Sequence, residues 1–168
     1  DYSISQEAHI TKMLKNHDMA QCKPVSLPFC NGQMKEILRH GRDPPSDPKL
    51  DPAVDATEYR SILGSVNFPA VMARPDIANT VSVLQRFQQS PRSSHRKAAQ
   101  HLLRFLQGTK HHCLRYSGGN IQLSAKVDSS WADDVDNAES QFGWVVTLCG
   151  GPVSWKSALQ RCTATSST

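Results

Sequence analysis

The chain has 168 residues, 38% apolar and 7% aromatic, with 19 Lys and Arg against 15 Asp and Glu for a formal net charge of +4. That length holds one ordinary domain or two small ones, and the apolar content is low for a single dense core yet too high for a disordered chain. No run approaches the ~20 apolar residues needed to span a bilayer, so no membrane contact is expected.

Residues 5–17 read as a short helix, with Ser5 as N-cap and Ile10, Met13, Leu14 and His17 on one face. Lys23-Pro24 ends it, because the residue before a proline is kept out of the α region. Residues 1–23 thus form an N-terminal helical segment. Residues 24–53 form a Pro-rich linker. Pro24, Pro28, Pro44, Pro45, Pro48 and Pro52, with Gly32 and Gly41, leave room for little more than a helical turn at 34–38. The linker reads as an exposed tether without chemistry.

Residues 54–116 are the helical region, and three helices are expected between 59 and 109, broken at Arg74-Pro75-Asp76 and Ser90-Pro91-Arg92. The first begins near Asp55 and turns Tyr59, Ile62, Leu63 and Val66 inward. Pro69 falls inside it and removes a backbone hydrogen bond at ~3 kcal/mol, so the helix ends near Asn67 or kinks. The second carries Ile77, Val81 and Leu84 at i, i+4, i+7 with Phe87, and the third Ala99, Leu102 and Leu106 flanked by Ala98, Leu103 and Phe105. Pro75 suits a first helical position and Gly108 a stop.

From 117 to 168 the period changes from 3.6 to 2. After a turn at Ser117-Gly118-Gly119-Asn120, Ile121, Leu123, Ala125 and Val127 alternate with polar residues, as in a half-buried strand. Phe142, Trp144, Val146 and Leu148 form a second strand, Gly150-Gly151-Pro152 a turn, and residues 153–156 a short third strand, simplest as an antiparallel sheet. The polar run 163–168 suits the cap of a following helix. The fold class is therefore α+β. Trp131, Trp144 and Trp155 read as core rather than stacking platforms, because they sit in or beside strands.

The positive charge is localised. Between Asp76 and Asp128 there is no acid, while Arg86, Arg92, Arg96, Lys97, Arg104, Lys110, Arg115 and Lys126 contribute eight charges, leaving 11 basic against 15 acidic residues elsewhere. Arg96, Gln100 and Arg104 follow i, i+4, i+8 on the third helix, with Lys97 and His101 alongside, opposite the leucines. A face of one sign attracts a phosphate backbone, whereas an ordinary solvated face mixes both signs.

Other chemistry is sparse. Asp128 ends a strand and precedes an acidic loop with Asp133, Asp134, Asp136 and Glu139. An EF-hand is excluded by Ala132 and Asp133 at key positions and by flanking strands instead of helices. A two-metal hydrolase site needs several converging carboxylates, of which Asp128 could be one, and the rest read as a solvated loop. No nucleophile elbow and no phosphate-binding glycine loop occurs. The five cysteines are odd in number and scattered, which suits reduced thiols in an intracellular setting, cytoplasmic or nuclear. His111, His112 and Cys113 are too close in sequence for tetrahedral zinc. Asp1 in place of Met, without a charged-then-apolar signal segment, is expected of a piece of something longer.

Ile4-Ser5-Gln6, the block from Met19 to Val25 with Pro28, Tyr59-Arg60-Ser61-Ile62-Leu63-Gly64-Ser65 and Arg74-Pro75-Asp76-Ile77-Ala78 resemble, in order, the polyprotein of copia-type LTR retrotransposons. So do Val83-Leu84, Arg86-Phe87, Pro91, His95, Ala98-Ala99, Leu103-Arg104-Phe105-Leu106-Gln107-Gly108-Thr109, Asp128 with Trp131-Ala132, and Gly151-Pro152-Val153-Ser154-Trp155-Lys156-Ser157. The resemblance implies the reverse transcriptase thumb and connection region followed by the first three strands of a ribonuclease H-like domain. It implies that the parent enzyme copies RNA into DNA and cuts RNA in the hybrid with two Mg²⁺ ions. Asp128 matches the first-strand catalytic and metal-binding Asp.

The polymerase carboxylates would lie before Asp1. The second ribonuclease H carboxylate would follow Ser166-Ser167-Thr168, so no catalysis and no cofactor are expected of this chain alone. Ser130 in place of an Asp, Pro69 within a helix, and Glu139-Ser140-Gln141 depart from the family pattern. The expected residual activity is weak contact with an RNA–DNA hybrid or duplex backbone through Arg92, Arg96, Lys97, Arg104 and Lys110, with the remainder of the polyprotein as the other partner. The alternative is a retroelement-derived interaction protein of secreted-effector type, although no signal segment or Arg-x-Leu-Arg motif is present.

Overall fold

A computed structural model describes residues 1–29, 37, 49–117, 121–129 and 141–160. Part of the turn at 117–120, the acidic loop 130–140 with Ser130 and Trp131, and the polar run 163–168 lie outside the described residues. So does the turn at 34–38 apart from Ile37, which is helical and buried.

The described elements are β1 (Tyr2–Ser5), α1 (Glu7–Asn16), α2 (Ala56–Met72), a 3-10 turn (Pro75–Ile77), α3 (Ala78–Gln85), α4 (Ser93–Gly108), β2 (Cys113–Tyr116), β3 (Leu123–Ser129), β4 (Gln141–Leu148) and β5 (Gly151–Leu159). Among the described residues, these four α-helices and two small antiparallel sheets make the fold α+β, as expected. Ile10, Met13 and Leu14 of α1 join Tyr59, Ile62, Leu63 and Val66 of α2, Ile77, Val81 and Leu84, and Ala98, Ala99, Leu102, Leu103, Phe105 and Leu106 of α4 in one core. Each set lies on one helical face, so periodicity alone dictates which residues meet.

α1 begins later than expected. Gln6 is its N-cap and Ser5 belongs to β1, although Ser5 Oγ still accepts from the Glu7 N–H at 3.2 Å. β1 pairs with β2 from Tyr2↔Tyr116 to Ser5↔Cys113. α2 starts where expected, with the Asp55 carboxylate accepting from the Thr57 N–H at 2.8 Å.

Pro69 does not end α2 at Asn67, and the helix runs on to Met72. Proline at 69 deprives the Ser65 carbonyl of its helical donor and crowds it. In this structure His9 Nε2 on α1 donates to that carbonyl at 3.2 Å. His17 Nε2 reaches Ser65 Oγ at 3.1 Å, while that hydroxyl donates to Ile62 O at 2.8 Å.

The larger sheet has the order β3-β4-β5, all antiparallel. The β4–β5 turn is Cys149-Gly150, both at positive φ (51° and 79°), so Gly151 and Pro152 belong to β5, which is longer than expected. Pro152 sits on an edge strand beside a register shift at Val146/Thr147, where a missing N–H is tolerated. A Cβ on Gly151 would lie 2.7 Å from the Tyr116 ring, and Tyr116 Oη donates to Pro152 O at 2.6 Å, so β2 closes on the hairpin only over glycine.

The sheet turns the opposite face to the helices from the one its alternation suggested. Leu123 and Val127 are 69% and 74% exposed. Trp155 Nε1 instead donates to Ala70 O at 2.8 Å, and Ser157 Oγ to Asn79 Oδ1 at 3.1 Å, pinning the Trp155 side against α2 and α3. Trp155 at this seam and Trp144 on the outer face are half-buried rather than in the core.

Candidate nucleic-acid interface

Four of the five candidate backbone-binding residues lie on α4 or at its N-cap, and Lys110 follows two residues after its end. The helix forms because its leucines, alanines and Phe105 fill the core, which leaves the cations on the polar side. That side is largely occupied. Arg92 Nη1 donates to Asp51 O at 3.1 Å, Arg96 Nη1 pairs with Glu58 Oε2 at 3.2 Å, and Arg104 Nε donates to Lys23 O at 2.7 Å. Lys97 is exposed and Lys110 half-exposed.

The neighbours of these cations follow the same pattern. His101 Nε2 meets Leu27 O at 3.0 Å and Gln107 Nε2 donates to Ala20 O at 2.8 Å. The described parts of the expected tether are therefore anchored. Val25 and Phe29 pack against the core, and Asp51 is buried. Its carboxylate accepts from the Ser94 N–H at 2.8 Å and from Ser94 Oγ at 2.7 Å, closing the first turn of α4 where orphan N–H groups point outward. Burial pushes the nearby Cys22 thiol up, with Arg104 pulling against it.

Arg74 is a second feature that sequence reading passed over as a mere break. It is only 2% exposed, forks onto Asp76 at 2.8 and 2.9 Å, and donates to Thr109 O at 3.0 Å and Thr109 Oγ1 at 2.7 Å. Its guanidinium lies 5.6 Å from the centre of the Phe105 ring. The signal was present: an Arg two residues before an Asp across a proline allows a local fork.

Asp128 lies on β3, exposed, on the helix-facing side of the sheet beside Gly143. Because Gly143 has no side chain, an open cleft of about 450 Å³ forms there, lined by Lys126, Asn79, Gln141, Trp155 and Ser157 among others. Asp128 is the one carboxylate among the described lining residues, and Lys126 shares its face. That donor set does not fit two Mg²⁺ ions, which call for several carboxylate oxygens in near-octahedral order. Among the described residues no three His, Cys, Asp or Glu converge on a metal position, and His111 instead pairs with Glu7 at 2.8 Å. No described helix is long and apolar enough to cross a membrane.

The retrovirus-related Pol polyprotein from transposon TNT 1-94 of Nicotiana tabacum is 36% identical over 165 residues, 98% of this chain and 12% of that protein. A putative transposon Ty5-1 protein of Saccharomyces cerevisiae is 34% identical over 158 residues, 94% of this chain and 48% of its own length. The chain belongs to the copia-type retrotransposon Pol polyproteins. This Pol-type chain spans less than half of either relative. The secreted RxLR effector protein 161 of Plasmopara viticola is 39% identical over 111 residues, 66% of the chain and 78% of that protein, so the Pol likeness accounts for more of the sequence. No protein-family model matches the Pol-type chain, and no solved structure does.

Proposed function

We propose that the chain is the part of a copia-type Pol polyprotein that joins a reverse transcriptase thumb and connection to the opening strands of a ribonuclease H-like domain. Its own activity is contact with the phosphate backbone of an RNA–DNA hybrid or duplex, and it does not cut that hybrid. The observation that carries this reading is α4, whose apolar side fills the core while Arg92, Arg96, Lys97 and Arg104 share the other side in a stretch without acids. Arg92 and Arg104 each give one N–H of a guanidinium that carries five to a neutral carbonyl, which leaves their positive charge uncompensated, whereas Arg96 shares its charge with Glu58. With the remainder of a polyprotein supplying further carboxylates, Asp128 would be the first-strand ligand of a Mg²⁺-dependent nuclease. With the residues described it is a lone acid beside a lysine.

The test is binding of a labelled hybrid oligonucleotide between 50 and 200 mM salt. Each neutralised phosphate contributes ~0.9 to the slope of log K against log salt, so Lys97→Glu and Lys110→Glu each flatten it by about that amount. Absence of binding at low salt, or binding indifferent to salt, removes the reading. Mg²⁺-dependent cleavage of the hybrid that disappears in Asp128→Asn removes its non-catalytic half.

A further inference from the structure

Three donors on α4, Gln107, Arg104 and His101, are spaced three residues apart and meet the carbonyls of Ala20, Lys23 and Leu27 in turn. Residues 20–27 therefore run antiparallel to α4 along its polar side, as a strap held by backbone oxygens. Two further observations show that the seat is built for it. A Cβ on Gly108 would lie 2.9 Å from Pro24 Cβ, so the close approach needs glycine there. Val25 and Phe29 turn inward against the core.

We propose that this strap occupies the place of a phosphate backbone, so that nucleic acid engages Arg104 only by displacing residues 20–27. The inference rests on the nucleic-acid reading above and adds its regulation. A peptide carbonyl and a phosphate oxygen both accept from a guanidinium, but only the phosphate brings an opposite charge and can accept two parallel N–H bonds. The strap is therefore a displaceable occupant of this face. Lys97, exposed on the same helix, is available with the strap on or off.

Two variants of the full chain lift the strap by different routes. Gly108→Ala crowds Pro24 and alters no side-chain donor, whereas Val25→Ser weakens the strap's seat without touching α4. Cys22, a free and half-buried thiol on the strap, reports lifting through its rate of alkylation, followed by mass spectrometry. In both variants Cys22 alkylates faster and the hybrid binds several-fold tighter at low salt. The salt slope steepens by ~0.9 as one more phosphate is neutralised. Adding Arg104→Gln to either variant abolishes the gain.

Faster alkylation with unchanged affinity and slope overturns the competition. Unchanged alkylation in both variants overturns the seat described for the strap. Failure of every version to bind at low salt removes the nucleic-acid reading itself, and with it this one.

Discussion

Pro69 sits inside α2 at a position where ~3 kcal/mol of helix stability is ordinarily lost, and His9 offsets part of that loss. The Ser65 carbonyl, four residues back, has no helical N–H to accept from, and His9 Nε2 supplies one at 3.2 Å. His9→Ala leaves that partly buried oxygen without this donor, at about 1–1.5 kcal/mol. In a Pro69→Ala background the restored Ala N–H serves the same oxygen, so His9→Ala there costs under about 0.5 kcal/mol. His9 also touches the Phe68 ring, with centroids 4.8 Å apart, but that contact is lost in both backgrounds and cancels in a double-mutant cycle. The expected coupling is about 1 kcal/mol. It is measurable by urea denaturation of the four proteins and corresponds to roughly 2–4 °C in Tm for a chain of this size. An equal cost of His9→Ala with and without the proline would falsify the assignment of His9 as a substitute donor.

Asp76→Ala strands the Arg74 guanidinium, 2% exposed, and costs about 3 kcal/mol. Replacing both partners, Arg74→Met with Asp76→Ala, recovers part of that loss, and a double variant no more stable than the single one counts against a buried-charge origin. Tyr59 Oη donates to Leu84 O at 2.8 Å in the core, and burial pushes its phenol well above its ordinary pKa of 10.0. In the unfolded chain the phenol ionises first, so this stability is complete below pH 10 and drains away as pH rises beyond it. Tyr59→Phe, about 1 kcal/mol less stable at neutral pH, should lose this alkaline sensitivity when unfolding is followed from pH 9 to 11.

The helices were legible because their information is local. Tyr59, Ile62, Leu63 and Val66 of α2, or Ala99, Leu102 and Leu106 of α4, announce a buried face within three turns, and no distant residue is needed to interpret them. β1 and β2 were not legible, being four residues each and paired across the chain from Tyr2 to Tyr116. The alternation in β3 identified two faces but not which one would be covered. That choice is made by Trp155 and Ser157 reaching Ala70 and Asn79, contacts between residues about 80 positions apart. The occupation of the α4 cations was hidden for a different reason. The acceptors of Arg104 and Arg92 are carbonyls of Lys23 and Asp51, and every residue has a carbonyl, so no pattern of residue types marks these. Asp51 itself sat in a proline-rich stretch whose composition pointed to a tether.

The helix ends carry the same lesson further. A helix leaves its last four carbonyls without internal donors, and the usual remedy is a glycine or asparagine in the left-handed region just beyond. Neither α2, α3 nor α4 ends that way, since Ala73, Arg86 and Thr109 all have negative φ at their C-caps. Long side chains from elsewhere in the chain reach carbonyls at or just beyond these ends as well. Trp155 of β5 reaches Ala70 O in α2, Tyr59 of α2 reaches Leu84 O in α3, and Arg74 reaches Thr109 O beyond α4. Each donor lies 25 or more residues from its acceptor in sequence and outside the helix whose end it serves. Stability gained this way appears only once the tertiary structure has formed, so it makes the helices depend on one another and on the sheet. The Asp128 cleft lies on that same seam, between Asn79 of α3 and Ser157 of β5, and its shape depends on those bonds as well.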